Sequence, residues 1–278
     1  MKAVFFAAAV VFLSALVGTA FAASNDDARC LTLLSLGKVK EILRKQGFSG
    51  GWVVSVTRNS LGTKLFIVYH TPTNADWQTI VTTITANDLR VDRLRAATAY
   101  FDDDGQVVCE SKDNALVFRG GKTIALTPYS HWGFAPGGRI FYLDQDGKGA
   151  SLFRTSEPDK PLVSLDPTFV PQNVFECDDG KVFVFGQTSH RVDPKAGARG
   201  YLISHSGNEF KINKSIDLSW MGGVNDTSGS GETVLLESNS DLFPAWTLYD
   251  LTTKKGSRMG RAKGYGLFLD KALQDQFK

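Results

Sequence analysis

Four histidines, His70, His131, His190 and His205, are dispersed along the chain, and none stands at the close spacing of a zinc-ligand motif such as His-Glu-x-x-His. A zinc hydrolase is therefore disfavoured. The chain also lacks a Gly-x-Gly-x-x-Gly fingerprint and a Gly-x-x-x-x-Gly-Lys-Ser/Thr phosphate loop. That removes the common nucleotide-binding arrangements. Carboxylates are abundant, among them Asp102, Glu176, Asp217 and Asp226. A glycosidase needs two of them set across a sugar pocket, and abundance alone does not supply that arrangement. Asp144-Gln145-Asp146-Gly147-Lys148-Gly149 alternates carboxylates as a calcium loop does but lacks the distal glutamate. As a polar hairpin it needs no metal, and neither a metal nor a cofactor is expected.

The most suggestive set is aromatic. Trp52, Trp132 and Trp220 recur at one phase of a repeat, each where a β unit begins. Indole offers a broad apolar face and one N–H donor, which suits sugars and other partly apolar ligands. His131 and Asp217 stand near two of the three and add polar contacts. Against this stands a purely structural role, in which large aromatics pack between neighbouring units. The longest irregular insertion, Gln187 to Arg199, holds His190, Pro194 and Gly197 and is a second candidate contact region.

The elements that must position these residues are short strands. Gly105-Gln106-Val107-Val108, Gly138-Arg139-Ile140-Phe141, Gly180-Lys181-Val182-Phe183 and Gly231-Glu232-Thr233-Val234 share a turn glycine, a polar residue and an apolar β run. Gly62 to Val68 fits with one extra polar residue. These glycines recur at roughly the 40–50 residue period of a four-stranded propeller blade. A second run follows the last four of them: Ala115 to Arg119, Ala150 to Arg154, Gly200 to Ile203 and Trp246 to Asp250. Asp103-Asp104-Gly105 and Asp178-Asp179-Gly180 are tight hairpin signals.

From these runs, over about residues 48 to 265, the chain resembles β-propeller repeat proteins generally. The resemblance is to a fold, since neither the Trp-Asp signature of the WD type nor the Asp-box of sialidases is present. It implies an all-β fold, a propeller of five or six four-stranded blades. Leu31 to Leu36 and Val39 to Leu43 form two strands joined at Gly37, which with Tyr265 to Leu269 complete a sixth blade. The alternative is an amphipathic helix over Leu33 to Lys45 beside a five-bladed ring. Residues 23–47 are thus either closing strands or a short helix. Pairing the two termini in one sheet closes the ring and hides its edges.

Met1-Lys2-Ala3, the apolar run Val4 to Val17 and the small residues up to Ala22 form a secretory leader, cleaved after Ala22, leaving 23–278 as one domain. The residues before Cys30 are not a lipobox. The chain is therefore expected to be secreted or periplasmic, without stable membrane insertion after cleavage. With 31 Lys and Arg against 29 Asp and Glu, nothing draws it to nucleic acid. Cys30, Cys109 and Cys177 are too few for a disulfide scaffold. They allow one bridge and a spare thiol, or buried reduced side chains. The expected function is non-catalytic binding of a carbohydrate or protein partner through one propeller face. The alternatives are a glycosidase-like enzyme with channel carboxylates and a structural protein of the cell envelope.

Overall fold

A computed structural model describes residues 29–71, 78–94, 99–188, 197–206, 209–217, 223–237, 245–261 and 264–278. The proposed leader, Trp220 and His190 lie outside the described residues. The chain opens with β1 (Arg29–Leu34) and α1 (Leu36–Lys45). Blade 1 follows as β2 (Trp52–Arg58), β3 (Lys64–Thr71), β4 (Gln78–Thr85) and β5 (Leu89–Leu94). Blade 2 is β6 (Ala99–Phe101), β7 (Val107–Lys112), β8 (Ala115–Phe118) and β9 (Thr123–Ala125). Blade 3 is β10 (His131–Phe134), β11 (Ile140–Asp144), β12 (Ser151–Arg154) and β13 (Glu157–Ser164). Blade 4 is β14 (Phe169–Glu176), β15 (Val182–Thr188), β16 (Ala198–Ser206) and β17 (Glu209–Asp217). Blade 5 is β18 (Gly223–Thr227), β19 (Thr233–Glu237), β20 (Ala245–Asp250) and β21 (Lys255–Arg261). The chain ends with β22 (Tyr265–Asp270) and the short α2 (Lys271–Gln274).

Each blade is an antiparallel meander in chain order, and the first strands of successive blades gather around the axis, where β10 meets β14 and β14 meets β18. The fold is thus a β-propeller of five four-stranded blades. Its repeat glycines occupy the turn between first and second strands. Gly62, Gly105, Gly138, Gly180 and Gly231 all have φ between 65° and 74°, the left-handed region that side chains resist. Gly138 is restricted twice, because a Cβ there would lie 2.3 Å from the carbonyl oxygen of Phe101 in the preceding blade.

The termini close the ring differently from the expected sixth four-stranded blade. β1 and β22 pair antiparallel along their whole length, and β22 lies between β18 and β2. Among the described residues the sixth position therefore holds two strands. Beyond Leu34 the chain turns into α1, which corrects the expectation of two strands joined at Gly37. Ser35 caps the helix, its hydroxyl accepting from the Lys38 amide at 3.1 Å. Val39 and Leu43 then share one helical face and are buried. Arg44 and Lys45 fall in the last turn, where the helix dipole favours cations.

The core is a series of apolar layers between adjacent sheets. Cys109, Leu116 and Phe118 of blade 2 meet Phe141 and Leu143 of blade 3. Leu34, Val39 and Leu43 pack with Val56, Leu65 and Leu267 where the sixth sheet meets blade 1. The three cysteines are free thiols, Cys30 exposed and the others buried. Burial pushes the Cys109 thiol up to about 12 and that of Cys177 up to about 11. A maleimide or disulfide reagent at pH 8 is therefore expected to label Cys30 alone in the native protein and all three cysteines after denaturation. Native labelling of Cys109 or Cys177 at a comparable rate would contradict these layers.

Candidate functional site

The axis holds a cavity of about 170 Å³ lined from β2, β10, β11, β14, β18 and β22. Its polar groups include Arg58, Tyr142, Gln172, Asn173, Asn225 and Asp226. Gln172 and Asn225 reach it through irregularities in strand pairing. The register skips Gln172 between Pro171 and Asn173, and skips Asn225 between Val224 and Asp226. In β2 it skips Val54. A bulge inserts one residue and re-aims its side chain, and all three bulge residues are exposed. Two neutral amides, each able to donate and accept, are thus placed on neighbouring blades.

One end of the cavity is closed by a saturated ion pair. Arg58 is 1 % exposed and so is Asp226. The Arg58 guanidinium donates to both Asp226 oxygens, at 2.8 and 2.9 Å. Its remaining donors go to the carbonyls of Asn59, Ser60 and Thr227. Asp226 also accepts from the Thr227 amide at 2.8 Å and the Phe268 amide at 2.7 Å. Burial alone would disfavour the charge on Arg58, but Asp226 outweighs it and holds the guanidinium more firmly protonated than a free one. No donor of Arg58 and no lone pair of Asp226 is left for a ligand.

Polar contacts around this pair join every neighbouring position of the ring. Asp103 of blade 2 accepts from the Ser60 amide and hydroxyl of blade 1, at 2.8 and 2.6 Å. Arg139 of blade 3 lies 3.6 Å from Asp103 and 2.9 Å from Glu176 of blade 4. Burial raises the Glu176 pKa, against the pull of Arg139. The Asp178 amide donates to Gly229 of blade 5, and the Asp270 amide to Gly62 of blade 1. Arg29 of β1 donates to the Ser60 carbonyl and pairs with Asp178.

The opposite end is where the first strands begin. Trp52, the first residue of β2, is 47 % exposed. It stands edge-on to His70 at 5.7 Å between ring centroids. At about 3.3 Å per residue it lies about 20 Å along β2 from Arg58. Trp132 is half-buried, edge-on to Tyr100 of blade 2 at 5.6 Å, and packed in the layer between blades 2 and 3. His131 is exposed at the start of β10, opposite Asp144. Asp217 is exposed at the end of β17, the outermost strand of its blade. The structure thus puts Trp52, Trp132 and His131 at the starts of first strands and Asp217 at the end of an outermost one.

The other carboxylates singled out by type have structural partners. Asp102 folds its own turn, accepting from the Asp104 and Gln106 amides. Asp144 accepts from the Gly147 amide within the hairpin that resembled a calcium loop. Among the described residues no group of three His, Cys, Asp or Glu side chains is placed to hold a metal.

No protein-family model matches the chain, and no curated protein matches it. Among solved structures it is similar to TolB from Acinetobacter baumannii, with a TM-score of 0.49 and 12 % identity. That match covers 78 % of this chain and 57 % of the other, so the chain spans little more than half of that protein. A putative TolB from Agrobacterium tumefaciens matches with a TM-score of 0.46 and 12 % identity, covering 80 % of this chain and 91 % of the other. The tricorn protease matches with a TM-score of 0.44 and 10 % identity over 75 % of this chain and 26 % of that one. The propeller assignment stands on the sheet topology of the chain itself.

Removing one partner of the closing pair leaves a buried charge. Arg58→Met or Asp226→Leu alone is expected to lower the urea-unfolding free energy by about 3–5 kcal/mol, and the double variant to recover most of it. Single losses below about 1 kcal/mol, the range of surface pairs, would contradict a buried role.

Proposed function

We propose that the protein is an exported, non-catalytic binding protein that takes its ligand at the end of the axial channel where the first strands begin. The observation that carries this is the pair of bulges presenting Gln172 and Asn225 beside a closed, charge-saturated floor. Among the described residues that line the cavity Asp226 is the one carboxylate, and it is fully engaged. A glycosidase would need a second, free one about 5–10 Å away. The secretory pattern of residues 1–22 supports export to the periplasm or beyond. Among the described residues no helix is long and apolar enough to cross a membrane.

The ligand class follows from the cavity lining together with the exposed residues further along β2. Trp52 and Val54 give an apolar, exposed side on blade 1, while blades 4 and 5 give neutral amides. That combination suits a neutral saccharide, whose ring stacks on an aromatic while its hydroxyls exchange hydrogen bonds with amides. The cavity of about 170 Å³ is smaller than the roughly 300 Å³ and upward of pockets that enclose drug-sized ligands. It accepts one sugar unit or one side chain, with the rest of the ligand across the mouth.

Calorimetric titration with a panel of neutral glycans and cell-envelope fragments tests the assignment. A saturable response is expected, weakened about tenfold or more by Trp52→Ala and by Asn225→Ala, with the unfolding midpoint of each variant close to wild type. Binding indifferent to both substitutions, or confined to proteins, would overturn the saccharide site.

A further inference from the structure

The two-stranded sheet at the sixth position ends in an open edge. The Phe268 amide donates to Asp226 and the Asp270 amide to Gly62, so both point away from β1. Their register partners are Leu31 and Arg29. In an antiparallel ladder such non-hydrogen-bonded pairs alternate with hydrogen-bonded ones, so Arg29, Leu31 and Leu33 direct their N–H and C=O groups outward. The Gln274 side chain donates to the outward carbonyl of Leu31 at 3.3 Å. Leu33 has no such cap among the described residues, and its side chain is 47 % exposed.

The groove beside this edge has a definite chemistry. A Cβ at Gly266 would meet Leu235 and Leu33 together, which sets the Leu33 side chain against blade 5. Further out on that blade, Leu248 of β20 and Met259 of β21 pack partly buried beside Leu31. They face a position at which the other blades have third and fourth strands and this one has none among the described residues. The blade 1 side is filled instead by α1 and α2. Both flanks are basic. The sequence of α1 carries four cations to one acid, and that acid, Glu41, is tied to Lys45. On β21, Lys255 and Arg258 are exposed.

We propose that the β1 edge is a strand acceptor that binds an extended, acid-flanked apolar segment of a partner protein as the third strand of the sixth sheet. Its backbone bonds to Leu33 and, once Gln274 is displaced, to Leu31. Its alternate side chains cover Leu248 and Met259, and its acidic flanks meet α1 and β21. Main-chain pairing gives the affinity of such strand addition, and side-chain chemistry the choice of partner.

The test uses the mature full chain and a fluorescent synthetic peptide of alternating valine and threonine with glutamate flanks, followed by anisotropy. Saturable binding is expected, falling as salt rises and weaker for the same peptide with lysine flanks. Leu33→Pro removes an outward donor without touching the bonds to β22, and is expected to weaken binding about tenfold or more. Gln274→Ala frees the Leu31 carbonyl and is expected to strengthen binding, which keeps the test decisive if Leu33→Pro does not fold. No binding by wild type, equal binding of the lysine-flanked peptide, or binding unchanged in both variants would overturn the proposal. A concentration-dependent dimer that Leu33→Pro dissolves would give the edge to a second copy instead, and would equally overturn it.

Discussion

The Arg58–Asp226 pair is the constraint around which the ring is organised. It joins the first and last four-stranded blades across 168 residues of sequence. Taking two charges out of water costs several kcal/mol per ion, and attraction repays this only when geometry is good and every other lone pair and proton is satisfied. Here they are: five guanidinium N–H groups find acceptors, and four donors surround the carboxylate. One of those four is the Phe268 amide of the closing strand. The pair therefore fixes β22 against blades 1 and 5 as well as the blades against each other. A well-packed apolar replacement of both partners is expected to be nearly as stable, since the desolvation of the two charges offsets their attraction.

Apolar packing alone would leave that arrangement loosely defined. The core consists of separate layers between successive sheets, and such layers tolerate sliding because burial is non-directional. Hydrogen bonds are directional, and those of Ser60, Asp103, Arg139 and Asp178 lie in the turns that the repeat glycines allow, with Glu176 and Arg29 joining them from strand ends. Glycine geometry, polar ties and ring closure thus occupy the same end of the molecule. Toward the opposite end lie the bulges at Val54, Gln172 and Asn225 and the exposed Trp52.

Much of the ring was legible in the sequence because the turn glycines are a local signal. A left-handed turn favours glycine, and five such glycines at blade spacing mark five blades. The helix over Leu36–Lys45 was harder to read, since Leu31 to Leu43 is apolar enough for strands. The Ser35 cap and the Val39–Leu43 spacing decide it only once a neighbouring sheet can bury that face. Trp132 has the sequence phase of Trp52, yet one packs between blades and the other meets solvent, because packing depends on the neighbouring blade. Gln172 was concealed for a different reason. Pro171-Gln172-Asn173 breaks the apolar run of β14, but a bulge is visible only when the partner strand shows which residue is skipped. Arg58 stands at the end of an ordinary β run, and nothing local links it to Asp226.

Ring closure requires the closing strand to be held as firmly as the blades, and native-state hydrogen exchange at residue resolution tests this directly. The Phe268 and Asp270 amides are predicted to exchange only through global unfolding, with the same free energy and denaturant dependence as core amides of β3 and β19. Exchange of those two amides through a local opening, well before the blade cores, would show that the ring does not depend on its polar closure.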